Sequence, residues 1–258
     1  VSKKRQEGRP LVRTYALTHP PGLHIPARAT EGWDQLAHAV RGVMSIDTPA
    51  GRWVIPPRRA VWIPSGTRHS ILVNGRVTMR SLFFRDTLTR RRMPRQCVAV
   101  DVVPLVRELI LEANRIGALY NETPREARLA RVLLDQLEVL PALPLRLPLP
   151  DDPRARAAAD HIAAAPGRST AIGDAAREAG LTRRTLERLF ARETKMTLGN
   201  WRKQARLIQS LQLLAEGAPV TEVALEVGYS SASAFIAAFK AALGYTPSRY
   251  FDRADDRT

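Results

Sequence analysis

Two stretches of the chain, IGDAAREAGLTRRTLERLF from Ile172 and VTEVALEVGYSSASAFIAAF from Val220, are diverged copies of one pattern, and their glycines, Gly180 and Gly228, stand 48 residues apart. Self-similarity at a fixed spacing commits the chain to building one supersecondary unit twice. In each copy a helical apolar period runs into the glycine and resumes beyond it, so each reads as helix, glycine turn, helix. Ala176 and Ala224 stand four residues before the glycines, where a small side chain lets two helices cross closely. Leu186 and Leu189, or Phe235 and Phe239, supply the apolar face of the second helix, and Thr182 and Ser231 fit as its N-caps. Between the copies, GNWRKQARLIQSLQLLAEG reads as one long helix ending near Gly217. Residues 199–215 would span about 25 Å at ~1.5 Å per residue, a rod that spaces the two units.

Double-stranded DNA gives a physical reason for two such units in tandem, because major-groove segments recur about every 34 Å along one side of the duplex. In the first copy Arg183, Arg184, Glu187 and Arg188 fall on the outward part of the second helix, and arginine forks match the guanine edge. Residues 183–206 carry eight basic against two acidic side chains, a density suited to phosphate. Thr182, Arg202, Lys203, Arg206 and Lys240 are the expected phosphate contacts. The second copy presents Ser231, Ala232, Ser233, Ile236 and Ala237, which offer hydroxyls and methyl contacts but no arginine. The competing reading of such a run is a merely solvated helix face.

Upstream, residues 11–85 read as short strands, LVRTYALT, DQLAHAV, GVMSIDT, GRWVIP, RAVWIP, TRHSILV and RVTMRSLFF, separated by turn signals such as Ala50-Gly51 and Asn74-Gly75. That spacing suits a sandwich or small barrel. Two amphipathic helices follow, with Leu105, Leu109 and Ile116 on one side of the first and Leu129, Val132, Leu133 and Leu137 on one side of the second. PALPLRLPLP, residues 141–150, has four prolines, each lacking the backbone donor that a helix interior or central strand needs, and so marks a boundary. The expected fold class is α+β in two domains: a β domain over 1–100, a helical region over 101–140, a proline-rich linker over 141–152 and an all-helical domain over 153–258.

The 40 Lys and Arg against 25 Asp and Glu give a formal charge of +15, which favours polyanionic partners. Residues 151–258 hold 16 basic and 13 acidic side chains, so most of the excess lies upstream and total charge does not locate the DNA site. One cysteine, Cys97, rules out an internal disulfide or a cysteine-built zinc cluster and reads as an inert buried thiol. Arg90-Arg91-Arg92 with Arg95 reads as a solvated loop. No apolar run approaches ~18 residues, and the basic start VSKKRQEGR leads into none, so the expected location is the cytoplasm, away from membranes.

The last hundred residues, with AGLTRRTLERLFARETKMTLGNWRKQARL and then VALEVGYSSASAFIAAFKAALGYTPSRYF, resemble the DNA-binding domain of the AraC/XylS family of bacterial transcription regulators. The most specific residues are Gly228-Tyr229-Ser230-Ser231, Phe235, Phe239-Lys240, Gly244, Pro247, Tyr250 and Phe251. The resemblance implies a bipartite site read by both units. It matches Arg184, Glu187 and Arg188 to base-facing positions of the first recognition helix, and Ser231, Ala232, Ser233, Ile236 and Ala237 to those of the second. It also implies a separate domain for effector binding or dimerisation.

The first half resembles the cupin-type sensor domain of one branch of that family, a β-barrel or jelly roll. A metal-binding cupin supplies two histidines, a glutamate and a later histidine. Pro64 to His69 fits the later motif, followed by Asn74 at a shifted place, but counting back from Gly42 sets Gln35 where the glutamate belongs and Glu31 and Ala29 where the histidines would stand. One imidazole, a carboxylate and an amide make a poor transition-metal site, with His24 or His38 the substitutes in another geometry. No metal or other cofactor is expected. Trp33, Gln35, His38, Trp53, Trp62 and His69 are the candidates for an effector pocket, against a plainer reading in which Trp53 and Trp62 fill the core and His69 is a satisfied core histidine.

These readings together predict a sequence-specific transcription regulator, not an enzyme. Its expected partners are operator DNA, a small-molecule effector, RNA polymerase where it activates, and a second copy of itself through residues 101–140. Two rivals stand beside it: a metal-dependent cupin enzyme carrying a DNA-binding domain, and an effector-independent DNA binder acting through charge.

Overall fold

The computed structural model describes residues 9–138, 142–143 and 145–252. Residues 1–8, 139–141, 144 and 253–258, which hold the ends of the expected domains and part of the expected linker, lie outside these, as does the Asn74 side chain. The elements in chain order are β1 (Pro10–His19), β2 (His24–Arg28), β3 (Trp33–Thr48), β4 (Gly51–Ile55), β5 (Arg59–Ile63), β6 (His69–Arg85), α1 (Asp86–Thr89), β7 (Val98–Asp101), α2 (Pro104–Ile116), β8 (Ala118–Tyr120), α3 (Pro124–Glu138), β9 (Ala142–Leu143), β10 (Arg146–Leu147), α4 (Pro153–Ala164), α5 (Ala171–Glu178), α6 (Arg183–Thr194), α7 (Leu198–Ala215), α8 (Val220–Glu226), α9 (Ala232–Leu243) and α10 (Pro247–Asp252). They divide into two units, residues 1–46 with 55–144 and residues 47–54 with 145–258. The first is sheet-rich and the second helical, a two-part α+β layout.

In the first unit the strand path runs β8-β1-β6-β3-β5-β7-β9, with β2 pairing on β6. β3 and β6 are single strands of 16 and 17 residues where the sequence predicts two short ones each. The chain does not turn at Asn74-Gly75; the strand continues with Gly75 at φ +72°, and Gly42 at +78° does the same in β3. A Cβ on Gly42 would run into Arg76 O, so glycine here permits a bend at a close backbone approach rather than a reversal.

One sheet face carries Val12, Leu36, Trp62, Leu82 and Phe84 in a core completed by Val106, Ile110 and Ala113 of α2 and Ala130, Leu133, Leu134 and Leu137 of α3. Helices α2 and α3 therefore contribute to this unit's core. Of the expected helix faces, Leu133 and Leu137 are buried and Leu109, Ile116 and Leu129 pack against this core, whereas Leu105 is 53% and Val132 41% exposed. On α2 the apolar stripe is centred on the fully buried Val106, Ile110 and Ala113, with Leu109 and Ile116 at its margin and Leu105 outside it.

The second unit includes residues from both sides of the expected boundary. β10 pairs with β4, Arg146 opposite Trp53 and Leu147 opposite Arg52. Leu145 and Leu147 are buried, Trp201 Nε1–H donates to Pro148 O at 2.6 Å, and Gln204 Nε2 donates to Arg146 O at 2.6 Å. Residues 145–150 are thus a packed segment, not a free linker: proline removes a donor but leaves its carbonyl to accept. Asp152 then caps α4 by accepting from the Arg154 and Ala155 amides, with Pro153 in the first turn. Aromatic rings run through the rest of this core, among buried aliphatic residues such as Ile162, Leu186, Leu198 and Leu211. Phe190 meets Trp201 edge-on at 5.3 Å, and Tyr229, Phe235, Phe239, Tyr250 and Phe251 follow one another at 5.2–5.7 Å.

Candidate nucleic-acid interface and small-molecule cavity

The two repeats close their turns with the same bonds. Leu181 N–H donates to Ala176 O and Tyr229 N–H to Ala224 O, both at 2.8 Å, while Gly180 and Gly228 adopt φ +64° and +81°. That is the left-handed helix exit which favours glycine, and it aims the following helix at a fixed angle in both copies. Thr182 Oγ1 accepts from the Thr185 amide and Ser231 Oγ from the Ala234 amide, so both expected caps are formed.

On α6 the buried Leu186, Leu189 and Phe190 leave Arg183, Arg184, Glu187 and Arg188 exposed together. Arg183 Nε donates to Glu187 Oε1 at 2.9 Å, which makes Arg184 and Arg188 the arginines of this face outside that pair. On α9 the buried Phe235 and Phe239 turn Ser233, Ala234 and Ala237 outward, with Ala232 and Ile236 half-buried. Lys203 and Lys240 are exposed.

The long helix α7 holds two of the expected phosphate contacts differently. Arg202 donates to Pro166 O at 2.7 Å, to Gly167 O at 3.4 Å and to Arg168 O, and Arg206 donates to Pro166 O at 3.0 Å. Their guanidinium groups clamp the turn after α4. A sequence window shows charge density but not the carbonyls of a turn 34 to 40 residues away that consume it.

In the first unit a cavity of about 330 Å³ is lined by Arg13, Thr14, Tyr15, Arg28, Thr30, Trp33 and Phe83. Of the six expected pocket residues, Trp33 alone lines it. Gln35 and His69 pair nearby: His69 Nδ1–H donates to Thr67 O at 2.9 Å, and the Gln35 side-chain amide lies 3.1 Å from Nε2. Burial lowers the His69 pKa, opposed by the Thr67 hydrogen bond, and the Gln35 atom that faces Nε2 is the amide oxygen Oε1. His38 is enclosed, donating from Nδ1 to Arg59 O at 2.8 Å, and burial pushes its pKa down to about 4. Trp62 is core, 5.7 Å from the Phe84 ring. Trp53 is in the second unit, donating to Thr48 Oγ1 at 3.3 Å with Arg146 over its ring. The cavity residues missed in sequence are Arg13, Thr14 and Tyr15 of β1, Arg28 of β2, Thr30 after it and Phe83 of β6, brought together from segments far apart in the chain. Among the described residues no three His, Cys, Asp or Glu side chains lie close enough to hold a metal ion, and no helix is long and apolar enough to cross a membrane.

Paired capped helices on glycine turns, with a basic exposed face on the first, define a helix-turn-helix DNA-binding protein. Residues 175–253 match the family described as "Helix-turn-helix domain". The chain is 36% identical over 219 residues to the HTH-type transcriptional regulator NimR of Escherichia coli (strain K12), covering 85% of this chain and 80% of that protein. It is 32% identical over 79 residues to the regulatory protein SoxS of the same organism, 30% of this chain and 74% of that one. Among solved structures, ToxT from Vibrio cholerae O395 aligns over 96% of this chain and 99% of its own at 12% identity, with a TM-score of 0.41. The chain belongs to the AraC family of transcriptional regulators and is a DNA-binding transcriptional regulator.

Proposed function

We propose that this regulator reads a two-part operator with α6 and α9 and responds to a small molecule held in its first unit. The observation that carries the reading is the identity of the two turns, each followed by a capped helix with one apolar face buried and the opposite face outward. Arg184 and Arg188, with Arg183 and Glu187, face base edges in the first half-site. Ser231, Ala232, Ser233, Ile236 and Ala237 face the second. Lys203 and Lys240, with the capped N-terminus at Thr182, contact phosphate, whereas Arg202 and Arg206 act by positioning.

The first unit is, in this reading, a cupin-like barrel. Its cavity is the effector site, and the outward faces of α2 and α3, with Leu105 and Val132, pair two copies. Effector binding alters operator occupancy or contact with RNA polymerase by favouring one presentation of the DNA-binding units. The test is binding of the full chain to its own upstream DNA and to scrambled DNA across a salt series. Preference by about 10³-fold or more supports sequence-specific reading. A steep salt slope with no preference would instead mean binding by charge alone.

A further inference from the structure

The first-unit cavity concentrates positive charge around an aromatic surface. Arg13 and Arg28 line it, and Arg13 Cζ lies 4.2 Å from the Trp33 ring centroid. Arg85 lies over the same ring at 4.6 Å, held by donation from Nε to Pro10 O. Of the neighbouring carboxylates, Asp34 and Asp86 are committed elsewhere, and the exposed Glu31 lies beside Gly66. Asp34 accepts from the Ser65 amide and the Thr89 hydroxyl, and Asp86 pairs with Arg90 at 3.1 Å. Among the described residues neither Arg13 nor Arg28 has a carboxylate partner. A guanidinium stacked on an indole keeps its in-plane N–H fork free for a planar anion. Tyr15 and Phe83 add apolar wall, and Thr14 and Thr30 add hydroxyls.

We infer that this cavity binds an organic anion with a flat apolar body, an aromatic carboxylate being the type. The carboxylate meets Arg13 and Arg28, and the ring system lies against Trp33, Tyr15 and Phe83. A neutral ligand of the same shape would leave the two guanidinium groups uncompensated, so charge sets the class of ligand and the aromatic wall sets its shape. The inference rests on the effector reading of the first unit.

The test is calorimetric titration of the full-length protein with 2-naphthoate and with the isosteric neutral 2-naphthamide, repeated on Arg13→Met and Arg28→Met. Naphthoate is expected to bind at least about ten-fold more tightly than the amide. Each substitution should remove at least about ten-fold of naphthoate affinity, with the melting temperature and ligand-free operator affinity unchanged. Higher salt should weaken the acid and leave the amide unaffected. Equal binding of acid and amide, or no binding of the acid up to ~5 mM, overturns the anion assignment. Operator affinity measured with and without naphthoate separates the two readings. Arginine-dependent binding that leaves operator affinity unchanged keeps the anion site and removes the effector role. An amide that binds as well as the acid and shifts operator affinity keeps the effector role and removes the anion class.

Discussion

Gly167 and Gly228 meet backbone to backbone: a Cβ on Gly228 would lie 2.5 Å from Gly167 O and 2.8 Å from its Cα. The turn after α4 is thereby seated on the turn of the second repeat, and Arg202 and Arg206 hold it from α7. Gly180, the equivalent of Gly228 in the first repeat, has nothing within 4 Å of such a Cβ. Two glycines of identical sequence role therefore differ in consequence. Gly180→Ala should cost about 1 kcal/mol for its left-handed backbone, and Gly228→Ala about 3 kcal/mol because overpacking adds to the same strain. Chemical denaturation followed by circular dichroism measures both, and equal losses would contradict the close approach.

Arg202 and Lys203 are sequence neighbours with opposite expectations. Arg202→Met removes donors from the carbonyls of residues 166–168 and should destabilise the second unit by about 2 kcal/mol. Lys203→Ala should leave the melting temperature unchanged and lower the salt slope of DNA binding by about 1. A melting curve and a salt titration on each variant distinguish clamp from phosphate contact.

Arg188 is exposed on α6 beside Arg184 and outside the Arg183–Glu187 pair. Arg188→Ala should cost about 1–3 kcal/mol of operator binding and relax preference at one base pair, with binding to scrambled DNA little changed. Selection from a randomised half-site reads the loss of preference directly. Unchanged selection would remove α6 from base reading at this position.

The outward part of α9 offers methyl groups and serine hydroxyls but no arginine or amide, so the thymine methyl is the base-edge feature best matched to Ala237 and Ile236. Replacing thymine by uracil in the second half-site deletes that methyl alone. Affinity should fall about four-fold per contacted methyl, near 0.8 kcal/mol each, while the same replacement in the first half-site has little effect.

Buried His38, with its pKa near 4, makes the first unit sensitive to acid. Unfolded His38 takes up a proton near pH 6.5 and the folded protein does not until about pH 4, so the unfolded state binds more protons between those values. Its contribution to stability is intact above pH 6.5 and is lost as pH falls towards 4, by about 3 kcal/mol in all. His38→Gln should flatten the pH dependence of the denaturation midpoint across that window.

The repeat, both glycine turns, the caps Thr182 and Ser231 and the outward arginines of α6 were legible in the chain alone. Each depends on bonds or spacings within a few residues, where side-chain type and helical period are sufficient causes. Tertiary structure decided the rest. Cross-strand register brought Arg13, Arg28, Trp33 and Phe83 to one cavity, while Trp62 joined a core and Trp53 the second unit. Three tryptophans of equal chemistry thus have three different neighbourhoods. Residues 145–150 became a packed segment, with a short strand at Arg146–Leu147, because β4 and α7 supply partners that proline composition does not reveal. Arg202 became a clamp because carbonyls more than 30 residues away meet its guanidinium. In each case a local pattern states what a side chain offers, and only long-range packing determines which partner accepts it.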